Sequence, residues 1–211
     1  MTETVEQDRI ERPQPAGEEA SAPPAPHSLE YVGFGLRGAA QLLDFVINYL
    51  LTIALAVALG IAVGFISSLT GRSVEPFIEQ MNRMSVARWA LYSIAGMVYH
   101  ILGEAIHGST PGKMILRVTV RSSDGGYCGF GQALIRSLAF WIDSLVFGLP
   151  ALISMRGSPS RQRLGDKWAG TVVVRIRSLE GSQRRTGACF LEATLAASAA
   201  HCLFVLLGTL V

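Results

Sequence analysis

From Phe45 through Gly71 the chain contains no Asp, Glu, Lys or Arg, and the apolar stretch leading into this run begins near Leu36. About 20 helical residues, at roughly 1.5 Å each, cross the hydrocarbon core of a bilayer. The run therefore crosses with residues to spare. Tilt or projection past the far face absorbs the excess, and Gly60 and Gly64 are places where the helix can loosen. Three more apolar runs follow: Trp89 to Gly103, Phe130 to Met155 (interrupted by Arg136 and Asp143), and Ala188 to Val211 with Glu192 near its start. A soluble chain of 211 residues can bury one such helix, but hardly four. Charged residues make up 16% of the chain, where soluble domains carry about a quarter. The predicted class is an all-α membrane protein.

Other classes fall away quickly. A formal net charge of +2 supplies no concentrated basic face, so no nucleic-acid partner is expected. Cys128, Cys189 and Cys202 form neither a metal-ligand spacing nor an even disulfide framework and read as packing residues. Gly108-Ser-Thr-Pro-Gly-Lys113 superficially resembles a phosphate loop, but the first glycine of that pattern falls on His107. A tight turn between helix and strand is the simpler reading. Gly-x-Ser-x-Gly is absent, and neither a cofactor nor an enzymatic activity is expected.

Residues 1–28 are rich in Pro, Ala and Glu and cannot bury enough surface to fold, so they read as a disordered tail, not a secretory signal. A membrane domain over 29–177, a basic linker over 178–187 and a final transmembrane helix over 188–211 follow. Between residues 156 and 187 lie eight Lys and Arg side chains, which assigns that stretch to the cytoplasm of a cell (inner) membrane. Met114–Arg121 and Thr171–Arg177 both read as strands, and two isolated strands pair most naturally with each other. Pairing puts both on one side of the membrane. The 26 residues of the third run are too few for two crossings, so this segment dips and returns or lies along the interface, breaking at Gly148-Leu149-Pro150. The N-terminus is then cytoplasmic, with three transmembrane helices at about 36–62, 86–106 and 188–211 and a small two-stranded cytoplasmic β element.

The first helix carries the most informative pattern. Arg37, Gln41, Asp44, Asn48 and Thr52 are spaced four, three, four and four apart and share one narrow stripe. A carboxylate at mid-membrane costs about 2.5–3.5 kcal/mol by insertion scales, so Asp44 must face protein or water. Two readings stand side by side: a packing device bonded across helices, or the pathway of an ion or polar solute. The third run echoes the first, because Leu36-Arg37 with Asp44 recurs as Ile135-Arg136 with Asp143 at the same gap of seven, and Gln132 shares the face. Weak internal repetition is common in transporters; an arginine reaching for headgroups is the plainer reading of Arg136. In the second run His100, Glu104 and His107 share a face with Glu-x-x-His spacing, but no second copy exists, so no metal site is expected.

These motifs occur in a recognisable order: Leu-Arg-x6-Asp in a first helix, a second helix ending at Glu104, TPGKMILRVTV from Thr110 to Val120, Asp124-Gly125, the Arg136 helix, and RQRLGDKWAGTVVV from Arg161 to Val174. Over residues 31–177 the chain resembles the RDD family of membrane proteins, named for one arginine and two aspartates. The resemblance assigns the arginine to Arg37 and the first aspartate to Asp44, with Asp166 as the second aspartate and Asp143 as its alternative. Gly165 stands where the family often has His, so any role of that His is lost. Residues 188–211 lie beyond the family core, with Ala196, Ser198 and Ala200 suited to close helix packing. The resemblance implies a bacterial cell-membrane protein for which transport, including cation/proton exchange, has been suggested. The candidate pathway residues are Arg37, Gln41, Asp44, Asn48, Arg136, Asp143 and Asp166. So few helices make a homo-oligomer or a membrane-protein partner the expectation, and a membrane scaffold without transport is the alternative.

Overall fold

The computed structural model describes residues 29–82, 85–181, 184 and 187–209; the expected tail over 1–28 lies outside them. The chain is mostly helical: α1 (Phe34–Thr70), α2 (Glu75–Asn82), α3 (Val86–His107), α4 (Pro111–Ile115), β1 (Val118–Ser122), α5 (Phe130–Asp143), α6 (Leu145–Arg156), α7 (Leu164–Ala169), β2 (Thr171–Arg175) and α8 (Gly187–Thr209).

α1 runs unbroken through Gly60 and Gly64, against the expectation that it would loosen there, and stops only at Gly71, whose φ of 66° is left-handed. At 37 residues it is about 55 Å long, well beyond a hydrocarbon core of about 30 Å. Its most apolar 18 residues bury nothing inside the molecule. Among the described residues two helices, Phe34–Thr70 and Gly187–Gly208, are long and apolar enough to cross a membrane, and the bent pair α5–α6 makes a third if it counts as one span. α3, expected as a crossing, has the length at 22 residues but falls short in apolarity, diluted by Arg88, His100, Glu104 and His107.

The two strands pair antiparallel, from Val118 opposite Arg175 to Ser122 opposite Thr171. Everything between them must therefore leave and return on one side of the sheet, as the sequence suggests. α5 and α6 accomplish this by bending 115°. The break begins two residues before the expected Gly148-Leu149-Pro150 and includes its glycine: Val146, Phe147 and Gly148 all have positive φ, and Pro150 sits in the helical turn that follows. Val146 and Phe147 form a bare apolar apex, with Phe147 fully exposed. Both strands are shorter than expected, because Met114 and Ile115 belong to α4 and Ile176 begins a 3-10 turn. Instead of alternating, β1 is buried at every position. Val118, Val120 and Val173 pack with Ile101 and Ala133, while Val172 and Val174 pack with Tyr31 and Leu179.

α8 lies antiparallel along α3. Cys189 Sγ approaches the Ile106 carbonyl at one end, and Arg88 Nε donates to the Gly208 carbonyl (2.9 Å) at the other. Close approach comes from Ala193 and Ala197, buried in line with His201 and Val205, four residues apart. Ala196, Ser198 and Ala200, the small residues singled out in the sequence, are half-buried.

Candidate functional site

At the sheet end of the helices lies a buried lattice of charge. Arg37 and Arg136, the two arginines of the sequence echo, both donate to Asp166, one to each oxygen, and Asp166 is completely buried. The remaining donors of Arg37 reach the carbonyls of Val32 (3.1 Å) and Arg161 (2.8 Å). Arg136 also reaches Thr171 Oγ1 (2.9 Å) and, through Nε, Glu104 Oε2 (2.8 Å). The other oxygen of Glu104 takes Lys113 Nζ at 2.6 Å. Arg163 lies between Asp143 (3.4 Å) and Asp166 (3.5 Å). One connected set of ion pairs thus ties α1, α3, α4, α5 and α7 together. Burial raises the Asp166 pKa, but the guanidiniums of Arg136, Arg37 and Arg163 outweigh it and hold the carboxyl down at about 2.

The echo extends beyond its arginines. Asp44 accepts the Gly112 N–H (2.8 Å), the Thr110 hydroxyl and the Tyr99 hydroxyl (3.2 Å), at the start of α4. Asp143 accepts the N–H groups of Leu164 and Gly165 (both 3.2 Å), at the start of α7. Each aspartate thus seats the short helix that leads into a strand, and each seat requires glycine. A Cβ on Gly112 would stand 2.5 Å from the Ala40 carbonyl oxygen and 2.8 Å from Asp44 Cγ. A Cβ on Gly165 would stand 2.8 Å from Ala139 Cβ and 3.1 Å from Asp143 Oδ2. Ala40 precedes Asp44 by four residues, as Ala139 precedes Asp143. A histidine in place of Gly165 would not fit against α5.

One buried carboxylate differs from the others. Glu104, Asp143 and Asp166 all face cations, whereas no cation among the described residues pairs with Asp44. Three uncharged donors hold its charge instead. The rest of the α1 stripe continues past it. Gln41 bonds His100 (3.0 Å), Asn48 donates to the Asp44 carbonyl (2.9 Å), and Thr52 meets His201 of α8 (3.0 Å). Beside this stripe, between α1, α3 and α5, opens a cleft of about 340 Å³ lined by Gln41, Asn48, His100 and Glu104 and faced by aromatic side chains. A second cavity of about 220 Å³ lies beneath the α5–α6 bend, and Gln41, Phe140 and Arg163 line both.

All seven pathway residues are therefore placed. Arg37, Arg136, Asp143 and Asp166 belong to the lattice, while Gln41, Asp44 and Asn48 follow the stripe away from it. The sequence reading left out Lys113, Arg163, Tyr99, Thr110 and Gly112, four of which lie in the Thr-Pro-Gly-Lys and Arg-Leu-Gly-Asp segments that precede the strands or supply their seats. His100, Glu104 and His107 do not converge: His100 turns to Gln41, Glu104 to its two cations and His107 to the ring of Phe190.

Residues 31–170 match the sequence model of the RDD family, described as "RDD family". The chain belongs to the RDD family. Comparison with curated proteins and with solved structures gives no match. RDD membership and the apolar helices together fit a membrane protein. The match ends at residue 170, so β2 and the whole of α8 lie outside it. α8 nevertheless completes the RDD stripe, because His201 covers Thr52 and stacks edge-on against Tyr99, the partner of Asp44.

Proposed function

We propose that this RDD protein is a multi-pass protein of the cell (inner) membrane, with a cytoplasmic N-terminus, which acts as a homo-oligomer to move a small ion or polar solute by proton exchange at Asp44. The observation that carries this reading is a buried carboxylate held by three neutral donors, with no cation paired to it among the described residues. Proton uptake at Asp44 therefore breaks no ion pair. Asp166, by contrast, is held by two guanidiniums; in this reading its lattice holds the walls and takes no part in exchange. The reading involves no enzymatic step.

Sealed vesicles carrying the purified chain and an internal pH dye test it. An imposed sodium, lithium or potassium gradient is expected to drive proton movement, and Asp44→Asn is expected to reduce it to the level of empty vesicles while the variant stays folded. Wild-type protein that moves no protons under any of the three gradients would remove the reading. The bare outer half of α1, with Ile53, Val57, Ile61 and Phe65 exposed, favours the second reading, a scaffold for another membrane protein. In that case Asp44→Asn leaves proton gradients untouched and weakens co-purification of the partner.

A further inference from the structure

The cleft between α1, α3 and α5 has a chemistry of its own. Its volume, about 340 Å³, is in the range of pockets that hold small organic molecules. The charged groups on its wall are already neutralised: Glu104 by Lys113 and Arg136, and Arg163 by Asp143 and Asp166. An ion entering the cleft would shed water and find no counter-charge, an arrangement that disfavours ions. Phe45, Tyr92, Phe140 and Trp141 supply flat apolar surface opposite the polar stripe. Gly96 on α3 opens the space between them, since a Cβ built there meets nothing within 4 Å.

Among the described residues two buried polar atoms of the wall lack a hydrogen bond: Arg163 Nε, which lies within ion-pair range of Asp143 and Asp166, and Asn48 Oδ1, which has no such neighbour. Asn48 Nδ2 donates to the Asp44 backbone carbonyl; turned the other way, the amide would set its own oxygen against that carbonyl oxygen. That leaves Asn48 Oδ1 buried and without a partner. A buried acceptor of this kind is uncommon in folded chains and calls for a donor.

We propose that this cleft binds a small uncharged solute with a mostly apolar body and one hydrogen-bond donor, the donor meeting Asn48 Oδ1 and the body lying among the four aromatic rings. The proposal goes beyond the exchange reading and concerns a different ligand, one held in the cleft beside Asp44 and not at its carboxylate. Binding is measured without any flux, so the two can fail separately.

Full-length protein in lipid nanodiscs, followed by fluorine NMR, provides the test. The probes are 4-(trifluoromethyl)benzyl alcohol, 4-(trifluoromethyl)toluene and the 4-(trifluoromethyl)benzylammonium ion. The alcohol is expected to bind saturably above the partitioning seen in empty nanodiscs, more tightly than the toluene and much more tightly than the ammonium. Asn48→Leu is expected to weaken the alcohol about tenfold, the worth of one hydrogen bond, while leaving the toluene nearly unchanged. Gly96→Leu, which fills the cleft, is expected to abolish saturable binding of both. Overturning results are alcohol uptake equal to that of empty nanodiscs, a preference for the ammonium, equal binding of alcohol and toluene, or unchanged binding by Gly96→Leu. The ranking of the three probes on wild-type protein decides the matter even if neither variant folds.

Discussion

Asp166→Asn is expected to destabilise the folded chain by about 3–5 kcal/mol, because removing one partner of a buried ion pair leaves the other charge uncompensated. Asparagine matches aspartate in size, so the loss is one of charge. Two guanidiniums, Arg37 and Arg136, converge on Asp166, one on each oxygen, and the replacement turns an amide donor on one of them and leaves the other a neutral acceptor. Unfolding in mixed detergent micelles measures the loss. The same experiment carries a pH signature. With its folded pKa at about 2, against about 3.9 for a free aspartate, Asp166 contributes its full stabilisation above pH 4. That contribution, about 2.6 kcal/mol, is lost as the pH falls from about 4 through 2. The variant has no such group at position 166 and is expected to lose correspondingly less over that interval.

Gly112→Ala is the second large effect. The added Cβ would meet the Ala40 carbonyl oxygen at 2.5 Å and the Asp44 backbone nitrogen at 2.8 Å. Both are backbone atoms of α1 and cannot rotate aside. Overpacking typically costs about 1–3 kcal/mol, and here it also separates Asp44 from the N–H it accepts. A loss of about 3 kcal/mol or more is expected in the same unfolding assay. Gly60→Ala is the internal control: it lies in α1, the helix that Gly112 packs against, with nothing within 4 Å of the new Cβ, and is expected to be neutral or stabilising by up to about 1 kcal/mol.

Which of these features the sequence made legible follows from how far each acts along the chain. Periodicity reveals what repeats within a helix, and so the stripe of Arg37, Asp44 and Asn48 and the echo at Arg136 and Asp143 stood out. Strand pairing was legible because two isolated β-rich segments have no other partner, and the returning α5–α6 pair followed from chain length. The bend was legible only at its end. Glycine marks Gly148, where φ is positive, but the turn begins at Val146 and Phe147, residues with no intrinsic preference for positive φ. The ion pairs were illegible for a different reason. Arg37 lies 129 residues from Asp166, and Arg136 lies 32 residues from Glu104, separations no local pattern encodes. Thr-Pro-Gly-Lys looked like an ordinary turn, yet its threonine and glycine seat Asp44 and its lysine neutralises Glu104. The packing face of α8 was present as a four-residue spacing, Ala193, Ala197, His201 and Val205, but an almost uniformly apolar helix offers several such faces.

Arg37 and Asp166 act here as one device that fastens α1 to α7, and a double-mutant cycle between Arg37→Met and Asp166→Asn measures this most directly. The expected result is a coupling of about 2 kcal/mol, with the double variant clearly more stable than the sum of the two single losses would allow. Single losses that simply add, to within about 0.5 kcal/mol, would contradict it.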